Sequence, residues 1–346
     1  MKAFVLAAGA GTRLRPLTSD IPKPMVPVLG RPALHHTLMN LKRNGFTDIC
    51  VNLFYKPEAI TEYFKNNDLG LNLTFSPEKK LLGTAGAVKK NEKFFDDTFC
   101  VMSGDGLSDV NLREILKFHK KNKALATLAL KSVDEKFDYG VTVTDKNGKV
   151  KTFIEKPFWK DILPSAVNTG IYFFEPEIFK FIPKNKFYDF GKDLFPFLLK
   201  SKERVFGFVF DGYWTDIGNI YEYKKGVYDA LCGKLKLDAV SGKYVSKTAQ
   251  IDKTAKISAP CFIDDGVKIG KNAVIKPYSV LSKNVTVKDN AEISKSIIWE
   301  NAVIGKNAKA DNTVVGYKAE IPDSIILFDS ILITSRRRQE DRRRRR

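Results

Sequence analysis

The sequence predicts an α/β protein in two parts. Residues 1–232 should form a doubly wound, mixed but mostly parallel sheet, and 245–333 a left-handed parallel β-helix of hexapeptide repeats. Three observations carry this reading. Short apolar runs alternate with helical periods from Lys2 onward, the pattern of successive βαβ units. The first run, Lys2 to Ala8, meets Gly9 and Gly11 with no room for a helix before them, as in a buried first strand. Beyond Gly233, Ile251, Ile257, Ile263, Ile269, Ile275, Leu281, Val287 and Ile293 recur every six residues. Ala249, Ala255, Cys261, Val267, Ala273, Ser279, Val285 and Ala291 stand two positions before them, which is the texture of stacked parallel coils.

Taken in order, Arg31 to Gly45 carries Leu34, Leu38 and Leu41 at helical spacing and stops at a glycine. A strand at Ile49–Phe54, a helix at Pro57–Lys65, a strand at Leu71–Phe75 and a helix at Ala85–Phe95 follow. The apolar strand Thr98–Met102 then ends on Ser103, Gly104 and Asp105. After a helix at Asn111–Asn122, strands at Ala124–Lys131, Gly140–Asp145 and Lys149–Glu155 read as antiparallel additions, the last two joined by a turn at Lys146–Gly148. A strand at Val167–Phe174, helical stretches near Pro176 and Gly191 and a strand at Arg204–Phe210 complete the sheet. Trp214 to Gly218 reads as a loop and Ile220 to Cys232 as a helix. The repeat slips by one residue near Trp299 and resumes at Ile304, so a local irregularity is expected there.

Composition narrows the function. With 346 residues, 43% of them hydrophobic, the chain can bury a full core. No run approaches a membrane span and no secretory leader is legible, so a cytoplasmic protein is expected. Cys50, Cys100, Cys232 and Cys261 lie singly, without CxxC spacing, and read as small core residues. The formal charge of +18 owes six charges to the tail at 336–346, whose eight arginines face Glu340 and Asp341. The remaining lysines are spread without interleaved aromatics, so no specific nucleic-acid groove is expected. The tail itself reads as a disordered solubilising or appended end, with polyanion binding as the alternative.

The residues after the first strand carry the chemistry. Gly9 and Gly11 permit positive φ and close approach, so successive backbone N–H groups can face one anion. Arg13, Arg15 and Lys23 follow on a loop that Pro16, Pro22, Pro24 and Pro27 keep from winding into a helix. A plain turn has no use for three cations beside it, whereas a triphosphate needs backbone donors and basic forks. The spacing fits neither GxxxxGK[ST] nor GxGxxG.

LAAGAGTRLRPLT followed by PKPMVPV resembles the signature of the sugar-1-phosphate nucleotidylyltransferases, and most closely the mannose-1-phosphate guanylyltransferase branch. The resemblance implies a Rossmann-like nucleotidyltransferase sheet and a reaction that joins a nucleoside triphosphate to a sugar 1-phosphate with loss of pyrophosphate. It implies nucleotide contacts at Leu6, Ala8, Gly9, Gly11, Thr12, Arg13, Lys23, Gly83 and Thr84. It implies sugar-side contacts at Gly104, Tyr139, Gly140, Glu155, Lys156, Asn168 and Thr169, with Lys156 neutralising the sugar phosphate. Alone, the Glu155-Lys156-Pro157 triplet is equally an ordinary surface ion pair.

An in-line displacement at phosphorus needs charge control, hence Mg²⁺. Asp105, between Gly104 and Gly106, and Asp216, in WTDIG, are the expected metal ligands by the resemblance, with a turn or helix cap as the alternative for each, while Asp109 reads as a helix cap. Together Arg13, Lys23, Asp105, Lys156 and Asp216 form the expected catalytic set. Glu78 precedes the LGTAG segment, where the resemblance places the base; a carboxylate there suits the two adjacent donors of guanine, and a surface glutamate is the alternative. GTP with mannose 1-phosphate is therefore the expected pair, and UTP or dTTP with glucose 1-phosphate the runner-up. A non-catalytic regulatory homologue and a partner-recruiting protein acting through its tail are the other readings. Many hexapeptide proteins are acyltransferases using a histidine, yet His35, His36 and His119 lie outside the repeats, so the β-helix reads as structural, assembling a homo-oligomer.

Overall fold

The computed structural model describes residues 1–132, 141–155, 166–237 and 241–334. Its contacts separate two compact units. One comprises residues 1–11, 21–25 and 33–216; the other comprises 12–20, 26–32 and the chain from 217 on.

In the first unit the strands Asn72–Pro77, Asp48–Leu53, Lys2–Leu6 and Phe99–Ser103 lie side by side and parallel. Ala166–Phe174 pairs antiparallel with Phe99–Ser103 and extends the sheet to Ala126–Ser132 and Val141–Thr144. Val205–Val209 and Val150–Ile154 lie beyond those two. The chain builds outward from Lys2–Leu6 on one side, then returns to its other side with Phe99–Ser103. Ligands of open α/β sheets bind at such a reversal, outside the carboxyl ends of the strands. Gly9 and Asp105 emerge there, one from each central strand.

Strand alternation divides the core between two faces. Phe4 and Phe174 pack on one with Phe99, Phe179, Phe190 and Phe195. Their neighbours Val5 and Phe173 pack on the other with Leu34, Leu38, Leu41 and Phe46 from the helix Ala33–Arg43 and its following turn. Burying a side chain of this size stabilises by roughly 1.5–3 kcal/mol. The helix Leu112–Lys121 is capped by Asn111, which accepts from the Arg113 amide, and not by Asp109. Asp109 instead accepts from the Tyr213 amide at 2.8 Å. That bond belongs to a two-stranded ribbon, Gly106–Ser108 against Trp214–Asp216, where the sequence suggests only loops. Three-residue strands are too short to show a period, so this pairing leaves no mark in the sequence.

In the second unit the chain from Lys243 to Leu332 forms three parallel sheets of short strands, the architecture of a left-handed hexapeptide β-helix. Its core is the expected file of Ile263, Ile269, Ile275, Leu281, Val287, Ile293 and their small neighbours. The irregularity near Trp299 is a lasting change of coil length. Ser279 pairs with Cys261, eighteen residues back, whereas Ile297 pairs with Val280, seventeen back, and seventeen holds to Ile331 and Val314. The residue lost lies in one corner. Lys276, Pro277 and Tyr278 fill it in one coil, and only Ser294 and Lys295 in the next, where Lys295 takes φ 44°. The helix Ile220–Leu231, capped by Asn219, groups with this unit. Its Tyr223 hydroxyl donates to the Pro27 carbonyl at 2.8 Å and accepts from the Trp299 indole at 2.9 Å. Cys50, Cys100 and Cys261 are buried and free as expected; Cys232 is free but exposed, since the helix has already ended there.

Candidate active site

Hydrogen bonds from the two central strands set the site. The Gly104 amide donates to the Leu6 carbonyl at 2.9 Å, so the two strand ends leave the sheet together. A Cβ at Gly104 would stand 3.1–3.2 Å from Val5, Leu34 and the Leu6 carbonyl, tighter than ordinary packing allows. Of the two loop glycines only Gly11 uses positive φ, at 60°; Gly9 is exposed and faces open space. Thr12 and Arg13 lie on a 3-10 turn that groups with the second unit, and their assignment rests on the sequence.

Lys23, on the turn Lys23–Met25, is buried, and its ammonium meets both expected metal ligands. Nζ lies 2.6 Å from Asp105 Oδ2 and 2.9 Å from Asp216 Oδ1. The carboxylates come from the end of Phe99–Ser103 and from Trp214–Asp216, and the ribbon pairs Asp216 with Gly106. Burial alone would push the Lys23 ammonium down, but the two carboxylates outweigh it and hold it above its ordinary value. Burial would likewise raise the Asp105 carboxyl; the adjacent ammonium, with the Ser103 hydroxyl, holds it below the usual range.

Two carboxylates closing on one cationic point, with side chains 22% and 20% exposed, match the few protein ligands that Mg²⁺ takes when water and substrate phosphates complete its shell. Among the described residues no group of three or more His, Cys, Asp or Glu could hold a metal, so two protein ligands are what the site offers.

Other expected residues are held by internal bonds. Glu78 is buried; Oε1 accepts from Asn52 Nδ2 at 2.7 Å and Oε2 from the Leu82 amide at 3.0 Å. Its carboxyl group is engaged in holding the LGTAG segment. Gly83 follows at φ 74°, where a Cβ would stand 2.5 Å from the Tyr188 carbonyl, so no other residue fits. The Thr84 hydroxyl donates to Asp189 at 2.9 Å and accepts from the Phe190 amide at 2.8 Å, which pins the start of the helix Gly83–Lys90. Asn168 donates to the Tyr172 hydroxyl at 2.8 Å, and Thr169 donates to the Ala129 carbonyl at 2.8 Å. The Thr169 carbonyl accepts from the Trp214 indole at 3.0 Å, tying the strand Ala166–Phe174 to the strand that bears Asp216. The Glu155 carboxylate lies against Gly191, where a Cβ would come within 2.6 Å of it. Tyr139, Gly140, Lys156 and the arginine tail lie outside the described residues.

Sequence reasoning missed Asn52, Trp214 and Asp189. Asn52 alone left a trace, as a polar residue within the otherwise apolar run Ile49–Phe54.

Residues 2–231 match the family model described as nucleotidyl transferase, and 240–344 that described as GMPPB C-terminal domain. The second match runs into the arginine tail, which the sequence resemblance leaves out. A UTP–glucose-1-phosphate uridylyltransferase of Synechocystis sp. is 37% identical over 85% of this chain and 82% of its own. Mannose-1-phosphate guanylyltransferase 1 of Arabidopsis thaliana is 33% identical over 88% of this chain and 87% of its own. The crystal structure of HddC from Yersinia pseudotuberculosis complexed with GMP-PN aligns with a TM-score of 0.58 at 28% identity, covering 66% of this chain and 99% of that one.

Proposed function

Because the chain belongs to the nucleotidyl transferase family, we propose that it transfers a nucleotidyl group from a nucleoside triphosphate to a sugar 1-phosphate, releasing pyrophosphate. The observation that carries this reading is the convergence of Asp105 and Asp216 on Lys23 at the carboxyl end of the central strands. Attack of the sugar phosphate on the α-phosphorus brings two anions together, so the barrier is largely electrostatic. The N–H groups of the Gly9–Gly11 loop, with Arg13, would bind the phosphates of the triphosphate. Lys23 would meet the departing pyrophosphate, and Lys156, by resemblance, would hold the incoming phosphate. Asp105 and Asp216 would hold Mg²⁺, which supplies further neutralisation of phosphate charge when bound. Glu155, Asn168 and Thr169 are assigned to the sugar side, with Tyr139 and Gly140.

GTP with mannose 1-phosphate is the proposed pair. Similarity to the Arabidopsis guanylyltransferase across most of both chains supports it, as does the match of the β-helix region to the GMPPB model. UTP with glucose 1-phosphate is the second reading, favoured by the Synechocystis relative. A non-catalytic homologue fits less well, since Arg13, Lys23, Asp105, Lys156 and Asp216 are all present. No helix among the described residues is long and apolar enough to cross a membrane; we assign the protein to the cytoplasm, and a homo-oligomeric state to the β-helix. Incubation with GTP, mannose 1-phosphate and Mg²⁺ should yield GDP-mannose by mass spectrometry. No nucleotide sugar from any triphosphate would refute the proposal.

A further inference from the structure

A chain of three buried hydrogen bonds joins the glycine loop to the segment before Gly83. The Ala7 amide donates to Asn52 Oδ1 at 2.7 Å, Asn52 Nδ2 donates to Glu78 Oε1 at 2.7 Å, and the Leu82 amide donates to Glu78 Oε2 at 3.0 Å. Asn52 is 3% exposed and Glu78 9%. The chemistry fixes each direction. An amide N–H can only donate, so Ala7 selects the oxygen of Asn52 and turns its NH₂ toward Glu78, whose carboxylate accepts from both sides. Sheet register supports the same path, since Leu6 is opposite Asn52 and the Glu78 amide donates to the Leu53 carbonyl at 2.8 Å.

We infer that Asn52 and Glu78 are positioning residues that fix the spacing between the phosphate-binding loop and the base-contacting segment of one nucleotide. The inference rests on the nucleotidyl-transfer reading, in which Gly9–Gly11 take the phosphates and Gly83 lies at the base. A nucleotide bound across both segments spans a fixed length. If either segment shifts, phosphate and base cannot both be met, and triphosphate affinity and base choice fall together. The sugar 1-phosphate touches neither end of the relay and should be spared.

The pair can be inverted without losing a bond, which supplies the test. In the double variant Asn52→Asp/Glu78→Gln, the new carboxylate accepts from Ala7 and from the glutamine NH₂, and the glutamine oxygen accepts from Leu82. Each single variant breaks the chain: Asn52→Asp sets two carboxylates face to face, and Glu78→Gln must misplace either its oxygen or its NH₂. A buried group left without its partner destabilises the arrangement that holds it. Each single variant should therefore weaken binding of the triphosphate that the wild type prefers by about tenfold, and bring the GTP-to-UTP ratio toward one. The KM for the sugar 1-phosphate should stay unchanged, and the double variant should return within about threefold of wild type.

Equal loss for both substrates, or a double variant no better than the worse single one, would overturn the inference. Amide hydrogen exchange keeps it testable should the wild type bind no triphosphate, the outcome that refutes the functional reading alone. In Glu78→Gln the Ala7 amide should lose protection although Glu78 does not touch it. Unchanged exchange at Ala7 would overturn the relay.

Discussion

Asp105 and Asp216 close on a single nitrogen, Lys23 Nζ, at 2.6 and 2.9 Å. Two carboxylates brought this close repel unless a cation lies between them, so the fold has built a site for positive charge at the reversal point of its sheet. Asp105→Asn and Asp216→Asn should each lower turnover by about 10²- to 10³-fold at limiting Mg²⁺, the scale of removing one preorganised electrostatic group. Both proteins should stay folded, since Lys23 keeps one carboxylate. Near-native turnover in either would contradict the assignment of the pair to the metal.

A second expectation concerns pH. His119 is fully buried, with Nε2 3.1 Å from Glu175 and Nδ1 2.8 Å from the Thr127 hydroxyl. The carboxylate can only accept, so Nε2 carries the proton and Nδ1 accepts from Thr127. Burial lowers the imidazole below its ordinary 6.5, and Glu175 only partly offsets this. A folded-state value below the unfolded one means that the unfolded chain binds the extra proton first. The contribution of His119 is therefore complete above pH 6.5 and is lost as pH falls through the folded-state value. His119→Gln should be less stable than wild type at pH 8, with the gap narrowing by pH 5 in urea denaturation. A gap that widened on acidification would reverse this account.

The hydrogen-bonded pair Trp299 and Tyr223 gives a third. Trp299→Phe keeps an aromatic ring but strips one partner from the buried Tyr223 hydroxyl, at a cost of about 1–3 kcal/mol. Trp299→Ala should cost about 3–5 kcal/mol through the cavity it leaves. Denaturation midpoints that rank the two variants the other way would count against this packing.

How much of this was legible follows from how local each signal is. The alternation of strands and helices and the hexapeptide file could be read because glycines mark the strand ends and a six-residue period repeats, while the metal role expected of Asp105 and Asp216 rests on the resemblance. The bridge made by Lys23 could not, because local sequence shows a cation near phosphates and says nothing of a carboxylate from a distant strand. Thr84 fails in the same way: its partner Asp189 comes from another part of the chain. Glu78 was legible as a residue, but not the two bonds that occupy its carboxylate oxygens. Asn52, which donates to one of those oxygens, is one polar side chain within the run Ile49–Phe54.

Ile325, Ile326 and Phe328, 43%, 67% and 68% exposed, leave an apolar edge on the last described coils of the β-helix. Such an edge invites covering, and light scattering should find the full chain as an oligomer. Ile326→Lys with Phe328→Glu should shift it toward a smaller species. A strictly monomeric wild-type protein would sink the proposed role of the β-helix.

The central claim is tested most directly by kcat/KM for pyrophosphate release across a panel of GTP, UTP, dTTP, ATP and CTP, each with mannose 1-phosphate and with glucose 1-phosphate. The account predicts release that requires both a triphosphate and a sugar 1-phosphate, with GTP and mannose 1-phosphate the best pair. Preference for UTP and glucose 1-phosphate would contradict the guanine and mannose assignment, and no release from any pair would contradict nucleotidyl transfer itself.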